Sequence, residues 1–222
     1  MNKELFFQAI IKFLLGVIIV GLLIFIPSGL DYFNGWLFMG LLFIPMFIAG
    51  IILMIVNPNL LKRRLDAKEK EVEQKEVVIL SGIMFILGFV VAGLNYRYEW
   101  ILLPNIVVFI SSILFILSYI MYAEVLRENE YLLRTIKVEK NQKVIDTGLY
   151  GIVRHPMYLS TVILFLSIPL ILNSIISFII FLIYPFIIIK RIKNEEKVLE
   201  KELKGYKEYK KKVKYRLIPF IW

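Results

Sequence analysis

Four runs of 18 to 23 residues, nearly free of charge, constrain this chain more than any other feature. They are Leu5–Ile26, Trp36–Val56, Val77–Leu94 and Ile101–Ala123. An α-helix needs about 20 apolar residues to cross the hydrocarbon of a bilayer. Inside lipid no water satisfies backbone N–H and C=O groups, so such runs fold as helices. Gln8 and Lys12 lie near one end of the first run, where a lysine stem can reach the interface. No small-residue cleavage site follows that run, which predicts a first span rather than a cleaved signal. Pro27-Ser28-Gly29 and Asn57-Pro58 end the first two helices, and Pro45 predicts a kink in the second. Tyr96, Tyr98 and Trp100 suit a turn at interfacial depth.

A fifth apolar stretch, Tyr158–Ile189, is too long for one upright span and too short for two full ones. Pro169, Asn173 and Ser174 at its centre predict a helical hairpin bent there. Leu60–Glu76 carries both signs of charge and reads as an interfacial helix or ordered loop. The expected fold is therefore all-α and polytopic: four transmembrane helices, a C-terminal hairpin (five to six membrane segments) and a charged helical tail.

Composition narrows the chemistry. At 59% hydrophobic, the chain exceeds the 45–50% of soluble domains. With no cysteine and one histidine, disulfides, thiolate nucleophiles and multi-histidine metal centres are excluded. A carboxylate metal site stays open, and nothing in the sequence points to one. The net charge of +9 would suggest nucleic acid for a soluble protein, but its distribution fits a membrane protein. Lys and Arg number 6 in residues 57–76, 6 in 124–157 and 12 in 190–222, or 24 of 27. All three segments fall on one side of a four-span-plus-hairpin fold. The positive-inside rule makes that side, with the N-terminus, cytosolic and predicts a cell-membrane protein.

The unusual residues cluster there. Asp146-Thr147-Gly148-Leu149-Tyr150-Gly151-Ile152-Val153-Arg154-His155-Pro156-Met157-Tyr158 places a charged pair and a proline at the start of the hairpin. Proline suits a first helical turn. The free N–H groups of that turn, with Arg154 and His155, would favour an anion. Lys190-Arg191-Ile192-Lys193-Asn194-Glu195-Glu196 stands at the far end, and a hairpin brings His155 and Glu195 together across 40 residues. Spacing alone favours interfacial charge for the first cluster and a solvated helix, with an Arg191–Glu195 pair, for the second. Tyr206 and Tyr209 share a helix face and read as a docking surface.

Arg154-His155-Pro156-Met157-Tyr158, then Glu195-Glu196, Gly205-Tyr206-Lys207-Glu208-Tyr209 and Tyr215-Arg216-Leu217-Ile218-Pro219, together resemble the isoprenylcysteine carboxyl methyltransferase family. Asn57–Leu65 and Arg127-Glu128-Asn129 resemble its prokaryotic branch. The resemblance is strongest from Thr135 to Trp222. It implies one membrane methyltransferase domain, with 1–134 mainly scaffold and 135–222 the cofactor-binding catalytic region. It implies S-adenosylmethionine bound by Gln142, Lys143, Val144, Ile145, Tyr150, His155, Pro156, Met157, Tyr158 and Glu195. Thr135 stands where eukaryotic members have glutamine. Arg191 is implied to orient a substrate carboxylate, and Glu196 to serve as base if the acceptor is an amine.

The implied reaction is methyl transfer to a lipophilic acceptor, a small molecule or a prenylated or lipid substrate reached from the membrane, with no role for nucleic acid. Carboxyl O-methylation leads and phospholipid or amine N-methylation follows. A sterol-reductase-like enzyme using NADPH is the second class, because such reductases carry a similar His-Pro-x-Tyr element. A non-catalytic lipid-binding scaffold is the third.

Overall fold

Each apolar run becomes a helix because, in lipid, only the i to i−4 ladder satisfies every backbone group within the segment. The computed structural model describes residues 3–65, 72–129, 131, 138 and 141–222. The four expected spans are α1 (Lys3–Ser28), α2 (Phe33–Val56), α4 (Val72–Arg97) and α5 (Asn105–Glu128). Between α2 and α4, α3 (Pro58–Leu65) is amphipathic, burying Leu60 and Leu61 and projecting Lys62, Arg63 and Arg64. α2 runs through Pro45 without interruption. The rest of the charged segment before α4, and Thr135, lie outside the described residues.

The C-terminal apolar stretch folds as α6 (Pro156–Ile171), α7 (Ile175–Phe181) and α8 (Tyr184–Glu202), followed by α9 (Tyr206–Lys212). Among the described residues, five paths are long and apolar enough to cross a membrane: α1, α2, α4, α5 and the run from Ile175 to Glu202. Among the described residues there is no strand. This is the polytopic all-α protein expected. The hairpin bends where proline and polar residues predicted. Asn173 takes a left-handed φ of 54°, and Ser174 caps α7 by accepting from the Ser177 N–H at 3.2 Å. A second joint, at Leu182–Ile183, separates α7 from α8.

The depth of the hairpin follows from what its bend touches. Carbonyls at the end of a helix need outside partners. Here Asn34 Nδ2 donates to the Ile171 carbonyl at 2.8 Å and Tyr32 Oη to that of Leu172. Asn95 Nδ2 donates to the Asn173 carbonyl at 3.2 Å, and the Leu103 N–H donates to Asn173 Oδ1. Tyr32, Asn34, Asn95 and Leu103 border the α1–α2 and α4–α5 turns, which lie opposite the charged segments. The bend therefore reaches the far side of the bundle. α6 has 16 residues, about 24 Å of helix, shorter than the roughly 30 Å of a bilayer's hydrocarbon.

An aromatic core fixes the packing. Phe38, Phe115 and Phe181 are fully buried. Phe85 meets Phe165 edge-on at 4.8 Å, and Phe165 meets Tyr184 at 4.7 Å. These contacts tie α4, α6 and α8 together. α5 packs most extensively against α6, and α1 against α4. Ile11, Leu15, Ile18 and Leu22 of α1 and Ile44, Ile48 and Ile52 of α2 face outward, as lipid-facing side chains do.

Candidate active site

His155 caps the start of α6, with Pro156 in its first turn as the sequence predicted. The strand-like approach to the cap is paired with the tail. The Arg154 N–H donates to the Tyr215 carbonyl and the His155 N–H to the Arg216 carbonyl, both at 2.9 Å. The Arg154 guanidinium continues this pairing. Its Nη1 donates to the Val213 and Lys214 carbonyls at 2.7 and 2.8 Å, and its Nε to Glu196 Oε1 at 2.8 Å. Glu196 Oε2 accepts from Arg216 Nε at 2.9 Å. His155 Nε2 lies 3.3 Å from Glu196 Oε1; a carboxylate only accepts, so the Nε2–H tautomer makes this bond.

Glu196 is 3% exposed. Its carboxylate joins α8, the α6 cap and the tail into one ionic knot, and little capacity is left on it for another proton or ligand. Arg154 also differs from the expected anion site. Its guanidinium is satisfied by Glu196 and backbone carbonyls.

One residue earlier, Glu195 faces a different way. Consecutive helical side chains diverge by about 100°. Tyr158 Oη donates to Glu195 Oε2 at 2.5 Å and accepts from Arg191 Nε at 2.9 Å. The Arg191 guanidinium also lies 5.9 Å from the Tyr158 ring centroid. The phenol thus bridges a cation and an anion one turn apart on α8. Below it, Tyr184 Oη donates to Thr161 Oγ1 at 3.2 Å, joining α8 to α6.

The third wall is built from the loop before α6 and from α9. Tyr150 lies in a short 3₁₀ turn (Gly148–Gly151). Its hydroxyl accepts from Asn129 Nδ2 at 2.9 Å, and its carbonyl accepts from Tyr209 Oη at 2.7 Å. Burial, foremost, pushes the hydroxyls of Tyr150, Tyr206 and Tyr209 well above the usual phenol range, so all three stay neutral donors. Outside this wall, Lys212 reaches Asp146 at 2.7 Å and holds its carboxyl below the usual range.

These walls border an open cavity, about 820 Å³ when the open solvent at its mouth is counted. Gln142, Lys143, Val144 and Ile145 line one side. Tyr150, His155, Met157 and Tyr158 line a second, and Arg191 and Glu195 a third. Pro156 and Glu196 are not among the described lining residues. Pro156 shapes the helix start, and Glu196 sits in the ionic knot. The cavity also draws on Asn129, Tyr131, Leu199, Leu203, Tyr206 and Tyr209, which sequence reasoning did not place there. The shared face of Tyr206 and Tyr209 was the available signal, and it reads equally well as packing. No group of three or more potential metal ligands occurs among the described residues.

Most of the residues that line this cavity lie in the part of the chain that comparisons with known proteins single out. Residues 109–201 match the model of the isoprenylcysteine carboxyl methyltransferase (ICMT) family. The match bears out the family resemblance drawn from the sequence. It runs from within α5 almost to the end of α8, and so takes in the cap, the Tyr158 bridge and the loop between α5 and α6. α9 lies beyond it. A Delta(14)-sterol reductase of Mus musculus is 31% identical over 93 residues, covering 40% of this chain and 22% of that protein. The chain spans about a fifth of the length of this curated relative.

Proposed function

We propose that this membrane protein of the ICMT fold region is an S-adenosylmethionine-dependent methyltransferase acting on a lipophilic carboxylate. The observation that carries the proposal is the Tyr158 hydroxyl held between Arg191 and Glu195 in a cavity at the charged end of the bundle. The donor set suits S-adenosylmethionine. Glu195 offers a carboxylate to an ammonium or hydroxyl group. The segment 142–145 offers backbone groups to a base, and the tyrosines offer aromatic walls. Tyr206 adds a buried hydroxyl without a protein partner among the described residues.

When bound, S-adenosylmethionine supplies a methyl carbon made electrophilic by a positive sulfur. The chain's own residues have to align an acceptor and keep water out. Arg191 is the cation placed to orient a carboxylate by charge-assisted hydrogen bonds. Tyr158 holds the Arg191 guanidinium through its Nε, which sets the direction of the remaining donors. His155 closes the wall near the α6 cap, with its Nε2 turned to Glu196. Glu195 secures the polar end of the cofactor. An amine acceptor would need a base to remove its proton. Glu196, the carboxylate considered for that role, is enclosed by Arg154, His155 and Arg216 and lies off the cavity wall. A carboxylate, already nucleophilic, fits this site better.

The site extends to Asn129, so scaffold and catalytic region overlap at the end of α5. The charge asymmetry supports a cytosolic location for this face. The cofactor then arrives from water and the acceptor from lipid.

Thermal unfolding of the detergent-purified chain tests the reading. S-adenosylhomocysteine at 100 times its dissociation constant should stabilise the protein by about 2.7 kcal/mol, and NADPH should not. Stabilisation by NADPH alone would sink the methyltransferase assignment and favour the reductase relative. Glu195→Gln should weaken S-adenosylhomocysteine binding by about tenfold, the loss of one charged hydrogen bond. Unchanged affinity by calorimetry would remove Glu195 from the site.

A further inference from the structure

Tyr206 opens α9 directly after Gly205, whose φ of 89° makes the left-handed turn out of α8. Its ring is packed with Leu203, Tyr209 and Val213, with Val144 and Leu199 beside them. Only 4% of the residue is exposed, yet its hydroxyl has no hydrogen-bond partner among the described residues. Tyr209 is a useful contrast. It lies three residues on, is equally buried, and donates to the Tyr150 carbonyl. Packing accounts for both rings. It accounts for one hydroxyl only, because a buried hydroxyl left unpaired costs stability that phenylalanine would not.

The surroundings indicate where the missing partner comes from. An apolar cluster flanks the ring, while the residue also borders the cavity alongside Glu195 and Leu199. After burial, the carboxylates of Glu196 and Glu195 are the next causes that push the phenol's titration upward, so it keeps its proton. Tyr206 and Glu195 line the same cavity.

We propose that Tyr206 is a ligand-contacting residue: its hydroxyl hydrogen-bonds the ligand amino or hydroxyl group that Glu195 receives, so that binding draws α9 against the cavity. This rests on the cofactor reading above. The hydroxyl is closed to solvent without ligand, so a small inward movement of the α8–α9 turn accompanies the contact. An ammonium can donate to both the carboxylate and the phenol oxygen. A sugar hydroxyl can donate to the carboxylate while accepting from the phenol. One chemistry thus covers both ligand groups.

The test uses the full chain in detergent and S-adenosylhomocysteine as probe, with two analogues, one lacking the amino group and one lacking the ribose hydroxyls. Tyr206→Phe should melt without ligand at or above the wild-type temperature and bind S-adenosylhomocysteine at least about fivefold more weakly, the equivalent of one hydrogen bond. That deficit should vanish for one of the two analogues. Binding within about twofold of wild type, a lower melting temperature without ligand, or an equal deficit with both analogues would each overturn the assignment. If wild-type protein does not bind S-adenosylhomocysteine at all, the cofactor reading fails and this inference with it. If wild type binds and Tyr206→Phe binds equally well, only the Tyr206 contact fails.

Discussion

At the scale of single residues, the adjacent pair Glu195 and Glu196 divides two tasks. Glu196 neutralises a guanidinium whose side chain is 3% exposed. Removing one partner of a buried pair strands the other and costs about 3–5 kcal/mol. Glu196→Ala should therefore lower the melting temperature sharply with or without ligand. Arg216→Ala should do less, because that side chain is 29% exposed. Equal, small effects from both would mean that the ionic knot does not hold the tail. The sequence showed that His155 would meet an acid across the hairpin, and it pointed to Glu195. The partner is Glu196. The phase of α8 decides between the two, and that phase depends on how Tyr184 and Ile188 pack against α6, which no local spacing reveals. Of the twelve residues read from the sequence as site members, ten border the cavity. The tyrosines of α9 were visible only as a helix face.

At the scale of elements, close approach matters more than hydrophobicity. A Cβ at Gly93 would sit 2.6 Å from Pro27 Cγ and 2.7 Å from the Ile24 carbonyl oxygen, so α1 and α4 meet there without room for a methyl group. Gly93→Ala should destabilise by about 1–3 kcal/mol through overpacking. Gly82→Ala on the same helix meets nothing within 4 Å and should be neutral or mildly stabilising by helix propensity. Thermal unfolding of the two variants side by side checks this; equal melting temperatures would argue against the α1–α4 contact. Span positions were legible from apolar length, and helix ends from proline and asparagine. The α7–α8 joint was missed. Leu182 and Ile183 carry no turn signal themselves; the break lies just ahead of Pro185, in the first turn of α8, whose missing N–H and ring oppose a continuous helix.

At the scale of the whole molecule, charge sets orientation and apolar length sets the number of crossings. The chain contains no cysteine, so single cysteines report sidedness without background. Tyr98→Cys, in the α4–α5 turn, should react with an impermeant maleimide from outside intact cells. Lys207→Cys, on α9, should react only after permeabilisation. The reverse pattern would invert the protein and place the cavity outside the cell.

The two ends of the bundle are fastened by different forces. At the far end, neutral hydrogen bonds from Tyr32, Asn34 and Asn95 to the hairpin bend are insulated from ions. At the cavity end, the fastening is ionic, and the outer contacts, Lys212 to Asp146 and Lys210 to Glu200, stand where salt reaches them. Added salt should therefore weaken these outer contacts at the cavity end and leave the far end untouched.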